Sequence, residues 1–260
     1  MIEPSKTILL TGATSGIGLA AGLALADTGA ELLLVGRDPS RLKAAQAAVR
    51  ARSAAGAVST FRCDLSSLAA VRALASDVLA RHPRLDVLVN NAGGVSARRE
   101  LTADGLERTF AVNHLAPYLL TRLLLDRLRE SAPSRIVNVA SVAHRGGELD
   151  FSDLEMARGY RTMRAYRRSK LANVLFTREL ARRLSGTRVT ANSVHPGVVA
   201  TDIWGGAGWY ARPLLALAKP FMLTPEKGAA TLVHLAVSPE VESLSGAYFE
   251  GGRPVEPSSP

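Results

Sequence analysis

The feature of this sequence that most constrains its fold is a regular alternation of short apolar runs with longer segments of helical spacing. The runs are rich in leucine and β-branched residues, as strands buried on both faces of a sheet are. They are Thr7–Leu10, Glu31–Val35, Val58–Arg62, Val87–Val89, Arg135–Val139 and Arg188–Ser193. The segments with helical spacing are Gly18–Thr28, Pro39–Arg52, Leu68–Arg81, Leu106–Glu130 and Tyr166–Leu184.

This alternation indicates parallel strands, because parallel neighbours need long connections and those connections pack as helices on the sheet. The chain has 260 residues, and no change of composition along it marks a second domain. We therefore predict one α/β domain over residues 1–260, a Rossmann-type doubly wound parallel sheet of about seven strands with helices on both faces. Ligands bind such sheets beyond the carboxyl ends of the strands.

The charge of the chain does not indicate a nucleic-acid surface. The formal net charge is +9, but the 27 arginines are spread over the whole sequence and accompany only five lysines. A nucleic-acid-binding domain concentrates its basic residues on one face or segment. We expect no nucleic-acid partner, although an anionic cofactor would benefit from the positive field.

Other features limit the environment and the chemistry. The lone Cys63 excludes an intramolecular disulfide and is expected to be a buried thiol, and His114, His144 and His195 lack the spacing of metal ligands, so we predict no metal site. The first residues do not resemble a signal peptide, and no stretch of 18 uncharged apolar residues could span a bilayer. We expect a soluble cytoplasmic protein with no stable membrane insertion.

A glycine-rich turn follows the first strand and leads directly into a helix. Glycines at such a turn let the backbone approach a pyrophosphate, and the free N–H groups of the helix start attract phosphate. At the first strand-to-helix junction of this pattern, the turn indicates dinucleotide binding rather than a purely structural turn. The predicted contacts are Gly12, Thr14, Ser15, Gly16, Ile17 and Gly18.

The end of the second strand bears on the choice of cofactor. An acidic residue there would hold the ribose of NAD, whereas this strand ends in Gly36-Arg37. The guanidinium of Arg37 can pair with a 2′-phosphate, so the sequence favours NADP(H) over NAD(H). Asp38 keeps NAD(H) open as the alternative, although its place before Pro39 also suits the N-cap of a helix.

Two further strand ends carry candidate cofactor contacts. Asp64 and Leu65 follow the third strand, where Asp64 could bind the adenine amino group or serve as a turn residue. Asn91, Ala92 and Gly93 follow the fourth strand and place small or short polar groups along the expected cofactor path.

Four residues form a candidate catalytic group. Tyr166 and Lys170 are four apart in a helical segment, so they share a face, and the ammonium together with an oxidised nicotinamide could lower the pKa of the phenol toward that of a useful base. Ser141 follows the fifth strand and can hydrogen-bond the reacting oxygen. Asn113 lies in an apolar helical stretch and needs a partner, unless it is a structural asparagine that bends the helix.

Taken together, these motifs in this order resemble the short-chain dehydrogenase/reductase family from the first strand to the C-terminus. The resemblance implies that Tyr166 is the acid/base, Lys170 lowers its pKa and holds the nicotinamide ribose, Ser141 orients the substrate oxygen and Asn113 anchors a proton-relay water. It further implies contacts with the nicotinamide half from Pro196, Gly197 and Thr201. Because homodimers and homotetramers are common in the family, the resemblance also implies a homodimer or homotetramer here.

Within that family, three stretches are similar to the retinol dehydrogenase-like branch. They are 135–144, 166–176 and 195–201, and the long spacing between Ser141 and Tyr166 is also similar. This likeness implies alcohol or carbonyl substrates of varied kinds.

The segment after Thr201 is where we expect the substrate to be recognised. Both tryptophans fall in residues 202–222 beside glycines, which suggests an apolar lid. A small helix packed on the core or on a partner subunit, or transient contact with a membrane surface, is an alternative. Five arginines precede the catalytic pair or lie within it, and we expect a solvated face rather than a clamp for acidic substrates. They are Arg158, Arg161, Arg164, Arg167 and Arg168.

The function predicted from the sequence is an oxidoreductase that transfers a hydride between NADP(H) and an alcohol or carbonyl substrate, which we expect to be hydrophobic. The alternative, from another class, is an NADP(H)-binding sensor or scaffold without turnover. The complete set of four polar residues favours the enzyme.

Overall fold

The computed structural model describes residues 6–53, 57–199 and 222–257. The strands are β1 Thr7–Thr11, β2 Glu31–Gly36, β3 Val58–Arg62, β4 Val87–Asn90, β5 Ser134–Val139, β6 Val189–His195, β7 Tyr248–Glu250 and β8 Arg253–Val255. The α-helices are α1 Gly16–Ala26, α2 Pro39–Arg52, α3 Leu68–Arg81, α4 Arg108–Phe110, α5 Ala116–Glu130, α6 Thr162–Arg183 and α7 Pro225–Val237. A π-helical turn, Ala111–Leu115, joins α4 to α5, and a 3₁₀ turn, Val142–Gly146, follows β5.

These strands form one sheet in the order β3-β2-β1-β4-β5-β6-β7-β8. Strands β1 to β7 pair in parallel, and β8 returns antiparallel to β7. The chain winds outward from β1 in one direction and from β4 in the other, so the predicted doubly wound α/β fold is confirmed. The expected count of about seven strands differs from the observed eight by the short hairpin strand β8.

Apolar layers cover the sheet on both faces, as the sequence predicts. One layer packs α1, α2 and α7 on side chains such as Leu10 and Leu34, and the other packs α3, α5 and α6 on side chains such as Leu9 and Leu88. Successive residues of each strand point to opposite faces, so a strand covered twice is buried throughout. The helices thereby hold the carboxyl ends of β1, β4, β5 and β6 side by side at one edge.

Several elements differ from their predicted extents by a few residues, and three of these differences bear on the site. The helix predicted from Leu106 begins at Arg108 with Glu107 as its N-cap and contains the π-helical turn. Helix α6 begins at Thr162, so Tyr166 lies one turn inside it rather than at its start. Strand β6 extends to His195 and therefore reaches the edge where ligands bind. Thr201 and residues 202–221 of the expected lid lie outside the described residues. In the described part of the chain, no helix has the length and apolarity needed to cross a membrane.

Candidate active site

A cleft of about 1000 Å³ opens at the carboxyl ends of the strands, where the winding direction changes between β1 and β4. It is lined by every site residue predicted from the sequence except Asn113 and Thr201. Asn113 lies buried behind the cleft wall, at 1% exposure, and Thr201 falls outside the described residues. The structure thus brings residues from the whole length of the chain to one place.

The turn between β1 and α1 has the geometry of a phosphate cradle. Gly12 has φ +68°, and a Cβ atom there would lie 2.8 Å from the Cα of Ala92. A Cβ atom on Gly18 would lie 2.0 Å from the carbonyl oxygen of Gly12, so neither position admits a side chain. Ser15 is the N-cap of α1 and makes no side-chain cap bond to the described helix, so its first turn still presents N–H groups toward the cleft. These residues fit a dinucleotide pyrophosphate.

Positive side chains line the cleft at the ends of β2 and β3. Arg37 follows β2, while the carboxylate of Asp38 accepts a hydrogen bond from the backbone N–H of Arg41 at 2.8 Å and caps α2. The capping geometry predicted for Asp38 is therefore the one found. Arg41 and Arg62, which the sequence analysis did not single out, also line this end of the cleft. Arg62 lies opposite Gly36 in the pairing of β3 with β2, and Arg41 lies in the first turn of α2.

Asp64 lies in a turn beside these arginines. Its Oδ1 atom accepts hydrogen bonds from the backbone N–H of Ser66 at 3.0 Å and from the Ser66 hydroxyl at 2.8 Å. Burial works to raise the pKa of the Asp64 carboxyl, but these bonds and the charges of Arg37 and Arg108 bring that pKa below its ordinary value. Asp64 is thus an anionic turn residue at the cleft wall, next to Leu65, which also lines it.

The loop after β4 is fastened to the glycine-rich turn through Thr11. The Thr11 hydroxyl accepts hydrogen bonds from the backbone N–H groups of Asn91 at 3.0 Å and Ala92 at 3.1 Å, and it donates to Val89. The side-chain amide of Asn91 in turn donates a hydrogen bond to the backbone carbonyl of Thr11 at 2.9 Å. These bonds hold Asn91, Ala92 and Gly93 along the floor of the cleft.

Tyr166 and Ser141 both line the cleft. Ser141 directly precedes the 3₁₀ turn, and its Oγ atom accepts a hydrogen bond from the backbone N–H of Ala143 at 3.2 Å. Burial raises the pKa of the Tyr166 phenol, and a hydrogen bond with Ser141 works in the lowering direction. In the protein alone burial dominates, so Tyr166 is a neutral phenol at neutral pH.

Lys170 lies one turn after Tyr166 and shares its face, as the spacing predicts. The Nζ atom is 5.6 Å from the centre of the Tyr166 ring and donates a hydrogen bond to the carbonyl of Val139 at 2.9 Å. Burial lowers the pKa of the Lys170 ammonium to about 8. The group is therefore mostly charged at pH 7 but more readily deprotonated than an exposed lysine.

Asn113 occupies the π-helical turn, and its side chain makes three hydrogen bonds. Its Oδ1 atom accepts from the backbone N–H of Gly94 at 2.9 Å, while its Nδ2 atom donates to the Gly94 carbonyl at 2.9 Å and to the Ser169 hydroxyl at 3.1 Å. The π-helical turn agrees with the structural alternative of a helix distorted at this residue.

Asn173 is a site residue that the sequence analysis missed. Its Nδ2 atom donates to the main-chain carbonyl of Asn113 at 2.9 Å and to that of Val139 at 3.2 Å. It therefore ties α6 both to the π-helical turn and to the strand that leads into Ser141. Its position, three residues after Lys170 and so near it on a helix, was the available signal.

The arginines near Tyr166 divide into two kinds. Four of them are exposed, as expected of a solvated face: Arg158, Arg161, Arg164 and Arg167. Arg168 is the exception, since it is 3% exposed and its guanidinium lies 3.1 Å from the fully buried carboxylate of Glu107. The Cζ atom of Arg168 also lies 4.5 Å from the centre of the Phe110 ring. Arg168 therefore joins α6 to the helix that leads into Asn113.

Exposed apolar side chains stand at the mouth of the cleft. Val142, Met163 and Val198 line it and are 37%, 39% and 58% exposed. They line the same cleft as Tyr166. Within the described ranges, no three His, Cys, Asp or Glu side chains gather into a metal-binding group.

The fold and this site together define a nucleotide-dependent oxidoreductase class, and comparison with known proteins agrees. The sequence profile of the short chain dehydrogenase family matches residues 6–208. The chain belongs to the short-chain dehydrogenase/reductase family, whose members are oxidoreductases that bind NAD or NADP.

Similar proteins include several retinol dehydrogenases. The chain is 46% identical to mouse retinol dehydrogenase 14 over 257 residues, covering 94% of this chain and 77% of that protein. It is 44% identical to human retinol dehydrogenase 12 over 246 residues, covering 95% and 78%. The structure also resembles the RhlG–NADP active-site complex of Pseudomonas aeruginosa, with a TM-score of 0.75, 27% identity and coverage of 96% of each chain. The predicted likeness to the retinol dehydrogenase-like branch is confirmed.

Proposed function

We propose that this protein transfers a hydride reversibly between NADP(H) and an alcohol or carbonyl substrate, with Tyr166 as the proton donor and acceptor. The observation that carries the proposal is that Tyr166, Ser141 and Lys170 line the same cleft as the glycine-rich turn, with the Nζ atom of Lys170 5.6 Å from the centre of the Tyr166 ring. A proton donor, a second hydroxyl and a fixed positive charge then converge on one small region beside the cofactor turn.

In the reducing direction, the Ser141 and Tyr166 hydroxyls bind the carbonyl oxygen of the substrate. A nicotinamide held by these residues would supply or accept the hydride. As negative charge develops on the oxygen, Tyr166 donates its proton to it, and the Lys170 ammonium stabilises the phenolate that remains. In the oxidising direction Tyr166 accepts the alcohol proton, which requires its pKa to fall from the raised value that burial imposes. The Lys170 ammonium lowers that pKa, and an oxidised nicotinamide would lower it further when bound.

The cofactor contacts proposed are those predicted from the sequence: Gly12, residues 14–18, Arg37, Asp64, Leu65 and the 91–93 loop, with Tyr166, Pro196, Gly197 and Thr201 on the nicotinamide side. Lys170 would also hold the nicotinamide ribose. Asn113 fixes the Gly94 backbone and Ser169, which supports a role in shaping the cleft wall. The relay water that the family resemblance implies remains part of the proposal for Asn113.

The substrate class we propose is a hydrophobic aldehyde, ketone or the corresponding alcohol. The apolar mouth formed by Val142, Met163 and Val198 supports it, because such side chains would be covered by an apolar substrate. The relatives named retinol dehydrogenases support it as well.

The direct test is a spectrophotometric screen of NADPH and NADH oxidation at 340 nm with four carbonyl probes: all-trans-retinal, nonanal, cyclohexanone and menadione. We expect NADPH-dependent turnover of at least one apolar probe. Tight NADPH binding with no turnover of any probe would instead support the sensor or scaffold alternative.

The cofactor preference has its own test in Arg37→Ala. A charge-assisted hydrogen bond to a 2′-phosphate is worth about 1.5–3 kcal/mol, so we expect KM for NADPH to rise by about 10- to 100-fold. KM for NADH should change by less than about threefold, because NADH has no such phosphate. Arg98→Ala is the matched control, since its side chain is 86% exposed and does not line the cleft. An equal rise for both cofactors would contradict the role of Arg37.

A further inference from the structure

We infer that His144 is a positioning residue that fixes the hydroxyl of Ser141 through its main-chain carbonyl. The inference rests on the proposed role of Ser141. The carbonyl oxygen of Ser141 lies 3.0 Å from the backbone nitrogen of His144 and 2.7 Å from the Nδ1 atom of the same residue. The backbone N–H and the imidazole of His144 therefore both bind the carbonyl oxygen of Ser141, which lies three residues earlier in the chain.

The second of these contacts defines the tautomer of His144. A carbonyl oxygen has no proton to donate, so the 2.7 Å contact requires the hydrogen to be on Nδ1. The backbone bond alone is the ordinary bond of a 3₁₀ turn. The imidazole bond is additional and uses the second lone pair of the same oxygen.

The imidazole is itself held in place. His144 is 1% exposed, and the centre of its ring lies 4.8 Å from the centre of the Tyr248 ring in an edge-to-face arrangement. Tyr248 is also 1% exposed, and it belongs to β7, which pairs with β6 in the sheet. The ring cannot tilt away from Ser141 without disturbing this packing.

These contacts act on the direction of the Ser141 side chain. Fixing the carbonyl fixes the peptide plane after Ser141, and the Oγ atom is further held by the N–H of Ala143. Ser141 and Tyr166 line the same cleft, so the position of this hydroxyl decides where the reacting oxygen can bind beside Tyr166. A misplacement of about 1 Å in a catalytic group can cost about 10²-fold in rate. His144 thus prevents such a displacement without touching the substrate.

The test compares three variants of His144 in the NADPH-dependent reduction of whichever of the four carbonyl probes turns over fastest. His144→Asn keeps an N–H donor on the atom bonded to Cγ, as Nδ1 is, whereas His144→Gln places it one bond further out. We expect kcat to fall about 10- to 50-fold for His144→Leu and His144→Gln, and to stay within about fivefold of the parent for His144→Asn. Equal losses for Asn and Gln would overturn the inference even if His144→Leu fails to fold.

A double-mutant cycle separates positioning from general destabilisation. In a Ser141→Ala background, His144→Leu should change kcat by less than about twofold, because the hydroxyl it positions is gone. A full additional loss would show that His144 acts elsewhere. His82→Leu is the control for losing a buried histidine, since His82 is the C-cap of α3, pairs with Glu31 at the amino end of β2 and does not line the cleft, so kcat should be unchanged.

The outcomes distinguish this inference from the proposed function. If Ser141→Ala retains full turnover, or if the parent protein reduces none of the four probes, the proposed function fails and the inference fails with it. If Ser141→Ala loses activity while His144→Leu keeps it, only the inference fails.

Discussion

Tyr166→Phe is expected to lower kcat/KM for carbonyl reduction by about 10³-fold while NADPH binding remains within about threefold of the parent. The substitution removes one hydroxyl from a ring that is 7% exposed and keeps the ring itself, so packing and the cleft are preserved. General acid catalysis by a positioned side chain contributes about 10²- to 10⁴-fold, and the Tyr166 hydroxyl is the donor proposed for it. Steady-state kinetics and NADPH titration by fluorescence give the two quantities.

The control for this substitution is Tyr118→Phe. Tyr118 lies on α5, is 44% exposed and does not line the cleft, so its kcat/KM should equal that of the parent. A Tyr166→Phe protein with full turnover would remove Tyr166 from the chemistry, whereas loss of both turnover and NADPH binding would point to a damaged cleft.

The central part of the fold is readable from sequence because its strands are buried on both faces. All residues of β1 and β5 are buried, which gives the continuous apolar runs from which the alternation was recognised. About seven strands were expected from the sequence but only six were placed, so the positions of β7 and β8 were not predicted. Each of these strands has three residues, and all three residues of β8 are exposed, so neither apolar period nor length distinguishes it from a loop.

The candidate site shows the same division between local and tertiary information. Tyr166 and Lys170 could be paired from their spacing, and Ser141 from its place at a strand end. The ion pair of Arg168 with Glu107 could not be predicted, because it joins residues 61 positions apart in the sequence. Read locally, Arg168 is one of several arginines on a polar segment, and only the packing of α6 against α4 makes it buried. The sequence likewise identified His144 only as a histidine without metal spacing. Its hydrogen bonds to the Ser141 carbonyl depend on the 3₁₀ turn that follows β5.

Lys170 shows how the function of this site and the stability of the fold oppose each other. Its ammonium is 2% exposed, and burial lowers its pKa from 10.5 to about 8. A difference of this size corresponds to about 3 kcal/mol of destabilisation at pH values where the lysine is charged in both the folded and the unfolded protein. This cost is present in full below about pH 8 and disappears as the pH rises toward 10.5, because the unfolded protein binds the extra proton in that interval.

Lys170→Met is therefore expected to inactivate the enzyme and stabilise the nucleotide-free protein. Methionine has similar length without the charge, and the Val139 carbonyl keeps its hydrogen bond from Asn173 at 3.2 Å. We expect turnover to fall at least about 10²-fold, since phenolate stabilisation is lost. Urea unfolding should show a gain of up to about 3 kcal/mol at pH 7 that shrinks by pH 10. Lys43→Met, at an exposed position on α2, should change neither quantity. A variant less stable than the parent at pH 7, or a gain independent of pH, would show that the buried charge is not what limits stability here.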